Sequence, residues 1–413
     1  MGKWLYFIGV SIFNSLFYLV ALFNPKASKI IKGRKETKKG LNLLPVKKNT
    51  RYWFHCSSLG EFEQARPVIE AIKTQHPESE IYITFFSPSG YDQKKDFELA
   101  DKVFYFLADN PQNANLFVKS LNPDVVFFVK YELWYYHLQA CLNFKVKLYH
   151  LSAVFRSNHW MFRIYGRFLQ KTLKKFSAIF VQDKQSLALL KSHGFRNCIL
   201  AGDTRFDRVM KNQSKAAIPA NISAFKTNIP LLIAGSCWPP EEELIFYGLK
   251  NSIKPFKVLL VPHDVSPKHI AELEKQYHNF RTVVYSEIDS ETNLAESQVL
   301  IIDTIGMLSK LYKMADAAFI GGAYGKGLHN MLEACAFGIP ICFGPEIEKY
   351  WEANEAVEEG FATIIENDHD LENWIIGVLF HQDNGMELGR QAVEFIFSHA
   401  GATKKVMSEL KIK

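Results

Sequence analysis

Three charged residues stand directly behind apolar, β-rich runs, at points where a strand hands over to the next element. Glu61 follows "RYWFHCSS", and the pair Gly60-Glu61 opens the helical pattern of "HCSSLGEFEQARPVIEAI". Glu132 follows "DVVFFVK" within "FFVKYELWYYH", and Arg205 follows "CILAG" within "AGDTRFDRV". A carboxylate in such a place takes a proton from a hydroxyl that lies within hydrogen-bond reach. An acid in the first turn of a helix also complements the helix dipole, with Ser57 or Ser58 as the cap. The segment alone leaves both readings of Glu61 open. Arg205 either binds a phosphate or carboxylate through paired N–H bonds or forms an ion pair with Asp203 or Asp207. Trp134, Tyr135 and Tyr136 suit a core cluster as well as a platform for a sugar.

A second series lies further along. In "AGSCWPPEEELIF" a strand runs into Gly235-Ser236, and Pro239-Pro240 with Glu241, Glu242 and Glu243 form a helix start, so these acids read as structural. "LLVPHDVSPKHI" places Pro262-His263 after a strand. The segment "IIDTIGMLSKLYKMADAAFIGGAYGKGLHNMLEACAFGIPICFGP" holds a turn at Gly306 and a loop with Gly321, Gly322, Gly325 and Gly327. His329 and Asn330 fall where the next helix is expected to start, a place whose N–H groups suit an anion, and Glu333 one turn on suits ribose hydroxyls. Helix packing through glycines is the other reading. The segment lacks G-x-x-x-x-G-K-[ST] and is no P-loop. Asp368-His369-Asp370 looks like a metal motif but precedes "LENWIIGVLF", and helix capping accounts for it better. No His, Cys and Asp group has metal-ligand spacing.

These residues need a scaffold that gathers strand ends. Seven apolar runs in the first half alternate with helical patterns: "RYWFHCSS", "IYITFFS", "VFYFL", "DVVFFVK", "KLYHLSA", "AIFVQD" and "CILAG". Seven more follow: "PLLIAGS", "KVLLVP", "TVVYSE", "VLIIDT", "AAFIGGA", "IPICFGP" and "ATIIEN". Continuous apolar strands between helices predict parallel sheets covered on both faces, hence α/β architecture with two doubly wound domains. Ligands of such sheets bind beyond the carboxyl ends of the strands. The predicted layout is a membrane anchor over 1–24, a basic juxtamembrane linker over 25–48, a first domain over 49–212, a linker over 213–229 and a second domain over 230–413.

Composition sets the outer bounds. The 413 residues are 48% hydrophobic and 22% charged, which makes a folded chain of two domains. Net charge is +6, yet nine Lys or Arg and one acid, Glu36, fall between Pro25 and Lys48. The excess is local and argues for no nucleic acid partner. The six cysteines form no C-x-x-C pair and read as buried, reduced thiols. From Trp4 to Phe23 no residue is charged, about the ~20 residues needed to span a bilayer. Lys26, Lys29, Lys32, Arg34, Lys35, Lys38 and Lys39 follow, which places the rest of the chain on the cytoplasmic side. Asn14 and Ser15 soften the run, so a helix lying in the interface is the alternative to a span. Either way the basic stretch sits close to anionic headgroups.

Taken together, the motifs resemble the Kdo transferases of lipid A biosynthesis, glycosyltransferase family 30. "SSLGEFEQARPVI" is similar to the family's Ser-x-Gly-Glu segment, "KYELW" to its E-L-W motif, "GDTRFD" to its G-x-x-K-F-D segment and "GSCWPPEEE" to its G-S-T-x-x-G-E-E segment. The run from "DTIGML" to "ICFGP" resembles its nucleotide region, and the resemblance covers nearly the whole chain. It implies a GT-B fold of two Rossmann-like domains facing a cleft. It implies an inverting transfer of 3-deoxy-D-manno-octulosonic acid (Kdo) from CMP-Kdo to a lipid A precursor of the lipid IVA type at the bacterial inner membrane. The first domain would take the acceptor and the second CMP-Kdo. By the same match Glu61 is the base, and Glu132 and Arg205 stabilise the transition state; Glu63, the neighbour of Glu61, is expected to be dispensable. Ser236, Pro262, His263, Gly306, Met307, Leu308, His329, Asn330, Met331, Leu332 and Glu333 contact CMP. No metal or cofactor is implied beyond the co-substrate CMP-Kdo, and no obligate protein partner. The chain departs from the family in three places: Arg205 replaces a Lys, "VPHDVSPKH" lacks an Arg between Pro and His, and "LEACAFG" lacks a Pro after Leu-Glu. The rivals are a GT-B enzyme using a UDP-sugar on a lipid acceptor, a nucleotide-sugar epimerase, and a tethered nucleotide-binding protein without catalysis.

Overall fold

The computed structural model describes residues 2–410. They form two units, Met1–Asp207 joined by Ala400–Lys413, and Arg208–His399.

The first unit is built on a parallel sheet of β1 (Arg51–Cys56), β2 (Glu80–Phe85), β3 (Lys102–Tyr105), β4 (Val125–Val129), β5 (Lys147–Ala153), β6 (Ala178–Val181) and β7 (Cys198–Leu200). Their order is β3-β2-β1-β4-β5-β6-β7, so the winding reverses between β1 and β4. Every residue of β1, β2 and β4 is buried, as strands covered on both faces must be. The pleat divides them between two cores: Tyr52, Phe54, Val125 and Phe127 enter one, Trp53, Val126 and Phe128 the other.

The second unit repeats the plan with β8 (Leu231–Cys237), β9 (Lys257–Pro262), β10 (Thr282–Val284), β11 (Val299–Ile301), β12 (Ala317–Ile320), β13 (Ile341–Phe343) and β14 (Ala362–Ile364). The order is β10-β11-β9-β8-β12-β13-β14, again parallel, with the reversal between β8 and β12. All fourteen expected strands form. Several end sooner than their apolar runs, because residues such as Gln182 and Asp183 lie beyond the ladder.

Three helices lead into or follow β1: α1 (Gly2–Val20), α2 (Pro25–Leu41) and α3 (Leu59–Gln75). The basic stretch expected as a linker is for the most part α2. Ala27, Ile30, Arg34, Thr37 and Leu41 recur every three or four residues and are buried, while the lysines point outward. High charge concealed this one-sided pattern. Thr37 Oγ1 accepts the Tyr105 N–H at 3.1 Å and Arg34 Nε donates to the Phe106 carbonyl at 3.0 Å, so α2 covers the edge strand β3.

The domain boundaries also differ from expectation. The helix Thr204–Lys215 carries the division between Asp207 and Arg208, and part of the expected linker folds as a short turn whose Ile222 and Phe225 are buried. The end of the chain leaves the second unit. The helix Ala402–Glu409 packs on α3, with Val406 and Leu410 in the same core as Ile69 and Ile72. Asp207 fixes its start, accepting the Gly401 N–H at 2.5 Å and the Thr403 N–H at 2.6 Å.

Candidate active site

In the first unit the winding reversal sets the carboxyl ends of β1 and β4 side by side. Ser58 caps α3 and Glu61 is its third residue. The Ser58 N–H donates to Glu61 Oε2 at 2.8 Å, and the Ser58 hydroxyl reaches the same oxygen. The capping reading of Glu61 is therefore correct, and it does not displace the other one. Both bonds fall on Oε2, and among the described residues Oε1 accepts none. The cap thus orients a half-buried carboxylate with one oxygen open. Gly60 stands beside it. A Cβ there would meet nothing closer than the Ser58 hydroxyl at 3.7 Å, so the fold itself does not demand glycine.

Glu132 comes back toward β1 because Lys130 adopts a left-handed conformation, φ +62°, unusual outside glycine. His150 Nε2 holds that turn from the Lys130 carbonyl at 2.5 Å. Glu132 Oε2 then meets His55 Nε2 at 3.2 Å and the indole N–H of Trp134. His55 is buried in β1, its ring on Phe106 at 3.9 Å, and its Nδ1 lies 2.9 Å from Thr84 Oγ1. Thr84 already accepts from Trp53 Nε1 at 2.8 Å. One proton arrangement satisfies all three groups: Thr84 donates to Nδ1, and Nε2–H donates to Glu132. Burial alone would raise the pKa of Glu132. The hydrogen bonds of His55, Trp134 and Ser57 outweigh it and hold the carboxyl below its ordinary range.

Glu61 is held at Ser58, two residues beyond β1, and Glu132 at His55, the last residue but one of β1, so the two carboxylates flank one strand end; the Cys56 thiol there is pushed up by burial and then by both. Arg205 joins them. Burial raises the Tyr131 hydroxyl, and around it Arg156 and Arg205 oppose Glu61 and Asp183. The Arg205 guanidinium is anchored on buried Asp203, Nε at 2.9 Å and Nη2 at 2.8 Å. Of the two pairings expected for Arg205, that with Asp203 forms, while Asp207 serves as the cap described above. Glu63 lies apart, 3.8 Å from Lys94.

The second unit presents a different kind of surface. Ser236, the last residue but one of β8, adopts a left-handed conformation, φ +57°. Gly321 passes so close that a Cβ would lie 2.3 Å from the Ser236 carbonyl oxygen. Glu241, buried in the first turn of the helix Pro239–Asn251, accepts the Trp238 N–H at 2.7 Å and the Gly322 N–H at 2.6 Å. It ties the end of β8 to the glycine loop, the structural part expected of these acids. Pro262 ends β9, and the His263 ring stacks between Trp238 at 4.3 Å and His329 at 4.8 Å, with Lys326 over the Trp238 ring. Burial, helped by His263, lowers the His329 pKa to about 4.

Gly306 adopts φ +89° and leads through Met307 into a helix that opens at Leu308. The helix after the glycine loop is shorter and later than expected, Leu332–Ala336. His329 and Asn330 precede it, and the His329 N–H donates to the Gly321 carbonyl at 3.0 Å. Positive φ at Gly322, Gly325 and Gly327 prolongs the loop. Met331 and Leu332 bury their side chains and offer a ligand only backbone. Glu333 accepts from Asn330 Nδ2 at 3.2 Å. Its pKa is raised by burial against the pull of Arg208 and Asn330. Asp368 and Asp370 lie in the first turn of a helix capped by Asn367, as the capping reading requires. Among the described residues no group of three or more His, Cys, Asp or Glu is placed to hold a metal ion.

Sequence reasoning missed His55 and Thr84. A histidine in an otherwise apolar strand was the one visible signal.

Two Rossmann-like parallel sheets, each with its candidate residues at the strand ends, define a GT-B architecture. The structure of UDP-GlcNAc 2-epimerase from Neisseria meningitidis bound to UDP-GlcNAc shares the fold, with TM-score 0.61 and 15% identity over 88% of this chain and 99% of that one. Residues 31–208 match the family model described as 3-Deoxy-D-manno-octulosonic-acid transferase (kdotransferase). The 3-deoxy-D-manno-octulosonic acid transferase of Aquifex aeolicus is 26% identical over 326 residues, 77% of this chain and 83% of that relative. The transferase of the same description from Rickettsia felis is 28% identical over 346 residues, 81% of this chain and 73% of that one. These matches mark the chain as a glycosyltransferase and a relative of the Kdo transferases.

Proposed function

We propose that the chain moves Kdo from CMP-Kdo to a hydroxyl of a lipid A precursor of the lipid IVA type, with inversion, in lipopolysaccharide core biosynthesis. The observation that carries the reading is the pair of carboxylates flanking the end of β1, one with an open oxygen and one held ionised. The acceptor hydroxyl oxygen attacks the anomeric carbon of Kdo. A new C–O bond forms, the bond to the CMP phosphate breaks, and CMP leaves with the electron pair. Glu61 Oε1 takes the hydroxyl proton. Glu132 is a poor proton carrier because its neighbours stabilise its anion, and that anion suits positive charge growing on the sugar ring. Arg205, fixed by Asp203, meets negative charge growing toward the leaving group. The donor's nucleotide belongs to the second unit, at Ser236, Pro262, His263, Gly306 to Leu308 and His329 to Glu333.

In this reading no metal or further cofactor takes part. The chain works on the cytoplasmic face of the inner membrane, attached through α1 and the basic α2.

Incubation with CMP-Kdo and a tetra-acylated lipid A precursor, followed by mass spectrometry, tests the reading. One or more added Kdo residues, with inhibition by CMP stronger than by UDP, are expected. Preference for UDP, or conversion of a nucleotide-sugar without an acceptor, would favour the rival transferase or the epimerase.

A further inference from the structure

The helix α1 touches the first unit along one stripe. Gly2, Tyr6, Val10, Asn14 and Phe17 recur every three or four residues and are partly buried. The Tyr6 hydroxyl donates to Asp109 Oδ2 at 2.7 Å and accepts the Tyr135 N–H at 3.1 Å, with the ring against Trp160 and Phe168. Asp109 is itself buried and bound to His137 Nδ1 at 2.7 Å. Near the other end, Phe13 and Phe17 meet Phe86, and the Arg34 guanidinium covers both Phe17 and Phe86. The docked stretch from Gly2 to Phe17 is roughly 22 Å long at 1.5 Å per residue.

The opposite side is apolar and exposed: Trp4, Leu5, Ile8, Ile12, Leu16 and Leu19. A bilayer-crossing helix needs hydrocarbon all round for ~30 Å. Here a span would drag Asp109 and Arg34 into that layer. Cations border the apolar strip at both ends. Lys3, Arg163, Arg167 and Lys171 are exposed near its start, and Lys26, Lys32, Lys35, Lys38 and Lys39 beyond its end. Two copies meeting through this strip would bring like charges together, whereas anionic headgroups would neutralise them.

We propose that α1 does not cross the membrane. It is an in-plane helix, fixed to the first unit by the Tyr6–Asp109 clasp, whose outer face lies in the surface of an anionic bilayer. The contact has a consequence for the site. Phe86 stacks on Trp134 at 5.7 Å, and Trp134 donates to Glu132. The element that rests in the lipid is thus two side chains from a candidate catalytic carboxylate. The inference rests on the membrane attachment proposed above and not on the identity of the donor sugar.

Nitroxide labels at Leu5→Cys, Ile12→Cys, Leu16→Cys and Leu19→Cys, each in the full chain with Cys198→Ser, test it. The chain is bound to vesicles of phosphatidylethanolamine and phosphatidylglycerol, and immersion depth is read from oxygen and nickel-chelate accessibility. All four labels at one shallow depth, with binding at least tenfold weaker on phosphatidylcholine vesicles, is the expected result. A profile deepest at Ile12 and shallow at Leu5 and Leu19 would overturn the in-plane geometry and leave membrane attachment standing. No binding to either vesicle, with dimers in solution, would overturn both.

Discussion

The two units share a fold but build their candidate sites from different materials. In the first, chemistry rests on charged side chains, each fixed by a neighbour: Ser58 holds Glu61, His55 and Trp134 hold Glu132, and Asp203 holds Arg205. In the second, the surface is mostly shaped backbone and stacked rings: left-handed Ser236, the Gly321 contact, the long glycine loop, and Trp238 against His263. One set of materials suits moving a proton and balancing charge, the other suits gripping a flat, anionic ligand. Variants of the first unit should therefore change the rate of transfer, and variants of the second the affinity for nucleotide.

Glu132→Gln should produce the largest effect after replacement of Glu61 itself. Transfer should fall by about 100-fold or more, the scale of losing one fixed charge in a site, with CMP affinity unchanged in calorimetry. Its neighbour sharpens the point through pH. The folded pKa of Glu132 lies below the unfolded value, so its contribution to stability is present above the unfolded value and is lost as pH falls through the folded one. His55→Ala removes the first force opposing burial. The pKa of Glu132 should rise, and the acid limb of the pH–rate profile should move to higher pH. His55→Gln, which keeps a donor toward Glu132, should restore most of the wild-type profile.

Gly321→Ala comes next and tests the other side. Its Cβ would collide with the Ser236 carbonyl, a misfit of roughly 1–3 kcal/mol. The Kd for CMP should rise about tenfold while the fold of the first unit, followed by Trp53 fluorescence, is retained. Asp207→Ala should cost about 1 kcal/mol of stability through the lost cap, seen as a lower Tm, with little change in rate per folded molecule. Glu63→Gln is the smallest. It loses a loose pair with Lys94 worth about 0–1 kcal/mol and should leave transfer close to wild type.

The strands were legible because a parallel strand buried on both faces writes itself as an unbroken apolar run. The places of Glu61, Glu132 and Arg205 behind β1, β4 and β7 were legible because charged residues follow those apolar runs directly. The support around them was not. His55 meets Thr84 because β1 and β2 pair with those two residues in register, and register is a product of the whole sheet. The return of the chain end onto α3 rests on Val406 and Leu410 meeting side chains more than 300 positions away. The late start of the helix at Leu332 follows from positive φ at three glycines, which residue types alone left open. The membrane reading of the N-terminus saw an apolar run of sufficient length. Only the tertiary contacts of Tyr6 and Phe17 show that one side of it belongs to the protein.

The central claim is that Glu61 takes the acceptor's proton and that its role as a helix cap serves to aim it. Single-turnover transfer by Glu61→Gln, set beside CMP binding by the same preparation, tests this most directly. Gln keeps the size of the side chain and an oxygen for Ser58, so the account predicts normal folding, wild-type affinity for CMP, and transfer slower by about 100- to 10,000-fold, the range of general base catalysis. Transfer within a few-fold of wild type would contradict it and return Glu61 to a purely structural part.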